Sequence, residues 1–164
     1  VSRCDSRLSA RVWETSPRMG EDYRTAMRTW FQYICSDYDE CHHKGVVRLD
    51  LQQIDLPDAS VDVMLTPHVL EHVPDPLLMA EEMLRVTRPG GVVFLSWTPW
   101  LSPWGGHETS PWHYLGGRRA ADRYARIHGR RPKNDVGRSL FPCPVGPMVY
   151  WIWLLTTGKI ISEV

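Results

Sequence analysis

The sequence predicts an α/β domain built on a mostly parallel sheet. Within residues 46–97, two β-type runs flank one amphipathic helical segment, with turn signals between them. That alternation is the pattern of a parallel sheet with crossover helices. The polar residues of this block also stand where strands should end, and such sheets bind ligands at the carboxyl ends of their strands. The length of 164 residues fits one domain, assigned to 1–164, that buries roughly two-thirds of its unfolded surface.

The elements follow in order. Ser9 to Trp13 is a short apolar-containing run ending at Glu14, and TSPRMG at 15–20 is a turn-rich loop. Glu21 to Arg28 suits a helix, with acidic residues in its first turn. Trp30 to Cys35 reads as the second strand and opens into the acidic cluster 36–40. Val46 to Leu49 is the third strand, ending at Asp50, and Val61 to Leu65 is the fourth, stopped by Thr66 and Pro67. Val69 to Val73 makes one helical turn before Pro74 and Pro76. Leu77 to Thr87 is amphipathic, Arg88 to Gly91 terminate it, and Val92 to Trp97 is the fifth strand.

After this core (9–97) comes the segment 98–117, rich in Trp, Gly and Pro, and then the part 118–164. A loop of that length in a compact domain is functional or disordered, and so many aromatics argue against disorder. Arg118 to His128 forms a fair helix, and beyond Gly129 the signal is poor. The apolar run near 145–155 is too short for a bilayer span of about 20 residues. It reads as a buried element, with an interfacial aromatic anchor as the alternative and hence peripheral membrane contact.

Nineteen basic residues balance nineteen acidic ones, so net charge exerts no general pull toward nucleic acid, and no nucleic-acid partner is expected. The basic stretch Arg118, Arg119, Arg123, Arg126, Arg130, Arg131 and Lys133 is interrupted by Asp122 and reads as a solvated helix face. The four cysteines form no CxxC pair and no signal peptide is visible, so a reduced cytoplasmic setting is expected. Val1 rather than Met stands first, which suggests a fragment. Cys41-His42-His43 fits no common zinc spacing, and no metal site is assigned.

Three pieces in order, LPDASVD (56–62), HVLEHVPDP (68–76) and LRVTRPGG (84–91), resemble the second half of a class I S-adenosylmethionine (SAM)-dependent methyltransferase. The resemblance implies a Rossmann-like three-layer sandwich. The family sheet ends in an antiparallel hairpin, whereas the residues after 117 offer at most one good strand, so the last edge strands are open to being absent. It also implies SAM as cofactor, S-adenosylhomocysteine as product, and a small-molecule acceptor, lipid or sugar-like among the options.

The family's first motif is an acid followed by three alternating glycines, which let the backbone approach the ligand closely. Here Glu14 and Gly20 keep the ends, while Ser16 and Arg18 replace two glycines. The resemblance places Glu14, Ser16 and Gly20 at the methionine part of SAM. Ribose hydroxyls need a carboxylate roughly 20 residues further on, and Asp37 lies there, with Asp39 its rival. By resemblance Asp50 meets the adenine amino group beside the Leu51 backbone, and Thr66 and His68 lie near the methionine end. Asp62 opens the fourth strand and reads as structural.

The segment after the fifth strand would cover the acceptor with Trp100, Trp104, Trp112 and Tyr114. His107 and His113 are the candidate bases for an acceptor that must lose a proton. Two further readings stand beside methyl transfer. One is a methyltransferase-like binding protein that has lost catalysis, motivated by the missing glycines. The other is a zinc hydrolase using His68, Glu71 and His72, since H-x-x-E-H is a peptidase signature. That reading requires a long helix, and Pro67, Pro74 and Pro76 leave about one turn.

Overall fold

The computed structural model describes residues 10–15, 21–37 and 46–142. Ser16, Gly20, Asp39, the Cys41-His42-His43 cluster and the apolar run 145–155 lie outside the described residues. The chain divides into two compact units, Val1–Val69 with Leu78–Ser96, and Leu70–Leu77 with Trp97–Val164.

The first unit holds a five-stranded sheet of β1 (Arg11–Thr15), β2 (Gln32–Asp37), β3 (Val46–Arg48), β4 (Val61–Thr66) and β5 (Thr87–Leu95). The order is β3-β2-β1-β4-β5, and every pairing is parallel, which is a Rossmann-like arrangement. Alternation along the strands gives the sheet two faces. Val12, Tyr33 and Cys35 form a buried cluster with Val63 and Leu65 on one face. Helix α1 (Glu21–Trp30) covers that face through Met27, and the Tyr23 ring meets Tyr33 edge-on at 6.4 Å. Met64 and Thr66 alternate to the other face, where Thr66 Oγ1 lies 3.8 Å from Met83 Sδ of α2 (Pro76–Val86). Met79, Met83 and Val86 of α2 are buried with them.

Several boundaries differ from the sequence reading. Helix α1 continues to Trp30, because Phe31 N–H still donates to the Met27 carbonyl and the Thr29 hydroxyl bonds back to the Thr25 carbonyl. The aromatic Trp30 therefore ends a helix, and the second strand starts at Gln32. The larger difference is at RPGG, read as the stop between α2 and the fifth strand. Thr87 already pairs with Val61, and the strand then advances to Val92 opposite Val63. The residues between them form a bulge inside β5 rather than a loop before it. Gly90 has φ 77°, and a Cβ on Gly91 would lie 2.8 Å from the Asp62 carbonyl oxygen, so both positions use the freedom of glycine.

The second unit is built from short helices. A three-residue 3-10 helix spans Leu70–His72. The Trp-rich segment is ordered by consecutive turns and two more 3-10 helices, His107–Thr109 and Trp112–Leu115. Helix α3 (Gly117–His128) buries Ala120 and Ala121 and ends on Gly129 in the left-handed conformation. Beyond it, the buried Asp135 accepts two bonds from the Arg131 guanidinium, at 2.7 and 3.0 Å, and its carbonyl gathers the N–H groups of Arg138, Ser139 and Leu140. The Glu71 carbonyl accepts the Phe141 N–H at 2.7 Å.

Candidate functional site

The first unit brings those predicted cofactor residues that are described to one end of the sheet, because parallel strands point their carboxyl ends the same way. Glu14 and Thr15 end β1, Asp37 ends β2, Asp50 and Leu51 follow β3, and Thr66 ends β4 with His68 just beyond. The register pairs Glu14 with Cys35, Thr15 with Ser36, and Asp37 with Arg48.

Each of these groups has its own setting. Glu14 is only 2% exposed and its carboxylate accepts a hydrogen bond from the Tyr33 hydroxyl. Burial pushes the Glu14 carboxyl above the usual carboxylate range, with the Tyr33 bond and the Arg24 charge opposing that rise. Burial, then the bond to Glu14, also raise the Tyr33 phenol. The Trp13 indole donates to Ser36 Oγ at 2.8 Å, fixing the β1–β2 end from the opposite face. Asp50 closes its own turn: Oδ1 accepts the Gln52 N–H at 2.9 Å and its carbonyl accepts the Gln53 N–H at 3.1 Å. Leu51 beside it is buried.

The two residues at β4 divide differently. The Thr66 side chain is fully buried and its hydroxyl donates to the Phe94 carbonyl at 2.9 Å, so it ties β4 to β5. His68 is exposed, has φ 53°, and donates its backbone N–H to Ser96 at 3.0 Å. Asp62, read as structural, accepts the Arg11 backbone N–H at 2.6 Å and the Arg88 guanidinium at the opposite end of the sheet.

The second unit separates the predicted acceptor residues into exposed and buried sets. Trp104 is 75% exposed, and Trp112 is open on one side while the Arg123 guanidinium stacks 4.1 Å from its ring centre. Tyr114 is half exposed and its hydroxyl donates to the Leu101 carbonyl at 3.2 Å. Trp100 packs edge-on against His113 at 5.1 Å. His113 itself is only 1% exposed, sits between Trp100 and Tyr114, and holds Nε2 3.2 Å from the Ser102 carbonyl. Gly106 is pressed on its ring, where a Cβ would come within 2.6 Å of Cγ. That packing makes His113 a buried residue of this unit.

His107 is half-buried at φ 49° and its ring lies 5.4 Å from that of His72. With Glu71 these two form a group the sequence reading did not assemble: one carboxylate oxygen and one ring nitrogen from each histidine lie within 4.8 Å of one another. His68 is outside this group, and it is also outside the 3-10 helix, so H-x-x-E-H does not present two histidines on one helical face. The basic stretch lies on and after α3, where Arg131 pairs with Asp122 and Asp135 and much of the rest is solvated.

The family model for a methyltransferase domain matches residues 11–95, more than half of the chain. A protein described as an uncharacterized methyltransferase from Mycobacterium sp. (strain KMS) is 54% identical over 116 residues, covering 71% of this chain and 45% of that protein. Another so described, from Mycolicibacterium vanbaalenii, is 58% identical over 95 residues, covering 58% of this chain and 37% of that one. A solved S-adenosylmethionine-dependent methyltransferase from Mesorhizobium loti aligns over 52% of this chain and 45% of its own at 21% identity, with a TM-score of 0.42. The chain spans less than half the length of the curated relatives it matches. From the match over 11–95, the chain belongs to the methyltransferase-domain family.

Proposed function

We propose that the first unit binds SAM and that the chain belongs to an enzyme that transfers its methyl group to a small-molecule acceptor in the cytoplasm, a lipid or a sugar-like compound among the candidates. The observation that carries this reading is the set Asp37, Asp50 and Leu51 at the carboxyl ends of β2 and β3. The donor chemistry fits the cofactor. Asp37 offers a carboxylate for two ribose hydroxyls, and Asp50 offers an acceptor for the adenine amino group. The buried Leu51 supplies an apolar contact for the adenine ring. His68 and the 14–20 turn would hold the methionine end, with Gly20 the glycine retained there and Ser16 where the family has another.

SAM supplies an electrophilic methyl group on a sulfonium. The residues of the chain orient the acceptor in line with it and exclude water. Trp104, Trp112 and Tyr114 are the exposed aromatics we assign to the acceptor. His107 is the remaining base candidate, since His113 is enclosed by Trp100, Tyr114 and Gly106.

A second reading, binding without turnover, is favoured by one observation. The Glu14 carboxylate, which the resemblance assigns to the cofactor, is buried here and already engaged by Tyr33. Calorimetric titration with S-adenosylhomocysteine tests cofactor binding under both readings. Wild type should bind in the micromolar range, and Asp37→Ala should weaken binding about ten- to a hundredfold, the cost of one charged hydrogen-bond partner. A folded wild type that gives no binding heat would refute the proposal. Binding without methyl transfer to any of a panel of acceptors would favour the second reading.

A further inference from the structure

We propose that Glu71, His72 and His107 form a binding site for a divalent cation of the zinc class within the second unit; with the cation bound, His107 is a ligand and not the acceptor's base. The first observation is convergence. Ligand atoms from a 3-10 helix at 70–72 and from a second one at 107–109 come within 4.8 Å of one another, although the two segments are far apart in the chain.

The second observation is an unsatisfied charge. Glu71 is 1% exposed, and one carboxylate oxygen accepts the Thr98 N–H at 3.2 Å. The other oxygen, Oε2, is buried and has no hydrogen-bond partner among the described residues. A buried carboxylate oxygen left without a partner is unfavourable, and a bound cation supplies that partner.

The third observation is the orientation of His72. Its Nδ1 lies 2.6 Å from the Ser139 carbonyl oxygen, a contact that requires the proton on Nδ1. The lone pair is then on Nε2, and this backbone-carbonyl anchor is the usual outer partner of a metal-binding histidine. His107 Nε2 is itself buried, and the residue is held at φ 49°, a conformation that a non-glycine residue adopts at a cost.

Two imidazoles and one carboxylate make a borderline donor set. It suits Zn²⁺ and its neighbours in the first transition row, and it disfavours Mg²⁺ and Ca²⁺, which take all-oxygen shells. Three protein ligands leave one tetrahedral position for water. The arrangement differs from the peptidase signature, because His68 takes no part and Glu71 is a ligand rather than a base.

The test is titration of the metal-free full chain with Co²⁺, followed by its visible absorption. One equivalent per chain should generate d–d bands, and Zn²⁺ should displace them. His72→Gln and His107→Gln should each weaken binding at least about a hundredfold, the upper range for disturbing even an outer partner. His68→Gln should leave the metal affinity unchanged. Circular dichroism establishes that each variant is folded, and a Zn²⁺-dependent rise in the wild-type melting temperature gives an independent readout. The proposal is overturned if folded wild type gives no cobalt spectrum, or if His107→Gln binds as tightly as wild type. It is equally overturned if the spectrum carries a thiolate charge-transfer band, which would assign the metal to a site that includes a cysteine.

Discussion

Glu14 and Asp62 are carboxylates of one sheet whose surroundings act in opposite directions. Burial holds the Glu14 carboxyl above its ordinary value of 4.5, against the bond from Tyr33. The folded chain therefore binds this proton more tightly than the unfolded chain. The Glu14 contribution to stability is greatest below pH 4.5 and falls as pH rises through the folded value. Glu14→Gln removes that loss while keeping an acceptor for Tyr33. The variant should be more stable than wild type at neutral pH and equal to it at about pH 4, as urea midpoints would show. Asp62 has the reverse sign. The Arg11 backbone N–H and then the Arg88 guanidinium hold its carboxyl below 3.8, so its stabilisation is present above that value and lost as pH falls through the folded one. Because Arg88 is half exposed, Asp62→Asn should cost only about 1 kcal/mol at neutral pH, with the difference vanishing in acid. A variant as stable as wild type at every pH would show that the Arg11–Asp62–Arg88 contact contributes nothing.

Periodicity and punctuation gave the order and type of every core element, because strands and helices of this size declare themselves by local pattern. The errors were at boundaries where tertiary pairing overrides local chemistry. At RPGG a proline and two glycines look like a terminator, yet pairing of Thr87 with Val61 draws the segment into β5 as a bulge. The glycines there solve a packing problem rather than end a helix. A methyl group on Gly91 would meet Thr87 Cγ2 at 2.7 Å, the Asp62 carbonyl at 2.8 Å and the Arg88 carbonyl at 2.9 Å, two of them backbone atoms that cannot swing aside. Gly91→Ala should therefore destabilise by about 1–3 kcal/mol, as overpacking does. The urea midpoint should fall with an unchanged slope, which marks a loss of stability without a change in the unfolded ensemble. If the midpoint stays at the wild-type value, the bulge is free to rearrange and its register is not held by Gly91.

Across the whole molecule, the strand-end positions of Glu14, Asp37, Asp50 and Thr66 were legible because parallel topology turns strand ends into a row, so spacing along the chain converts into position. The Glu71, His72 and His107 group was not legible, since nothing local links residues 71–72 to 107 and only the turns of the second unit bring them together. The burial of His113 was hidden for the same reason: a histidine in a Trp-rich segment reads as a base until the packing of Gly106, Trp100 and Tyr114 is seen. The expectation of an unfinished sheet concerns β5. It is the last strand in the sheet order, it pairs along one side with β4 among the described residues, and Val92 and Phe94 are 56% and 50% exposed. A nine-residue edge with half-exposed apolar side chains is a template for pairing with another chain. The purified chain should associate with increasing concentration in sedimentation experiments. A charge on that edge opposes such pairing, so Phe94→Lys should shift the chain toward monomer with little loss of fold, because Phe94 is half solvated already and its carbonyl bond to Thr66 is a backbone contact. A wild type that stays monomeric at every concentration would mean that β5 is covered, and protection of the outward N–H groups at residues 92–95 from hydrogen exchange would then confirm the cover.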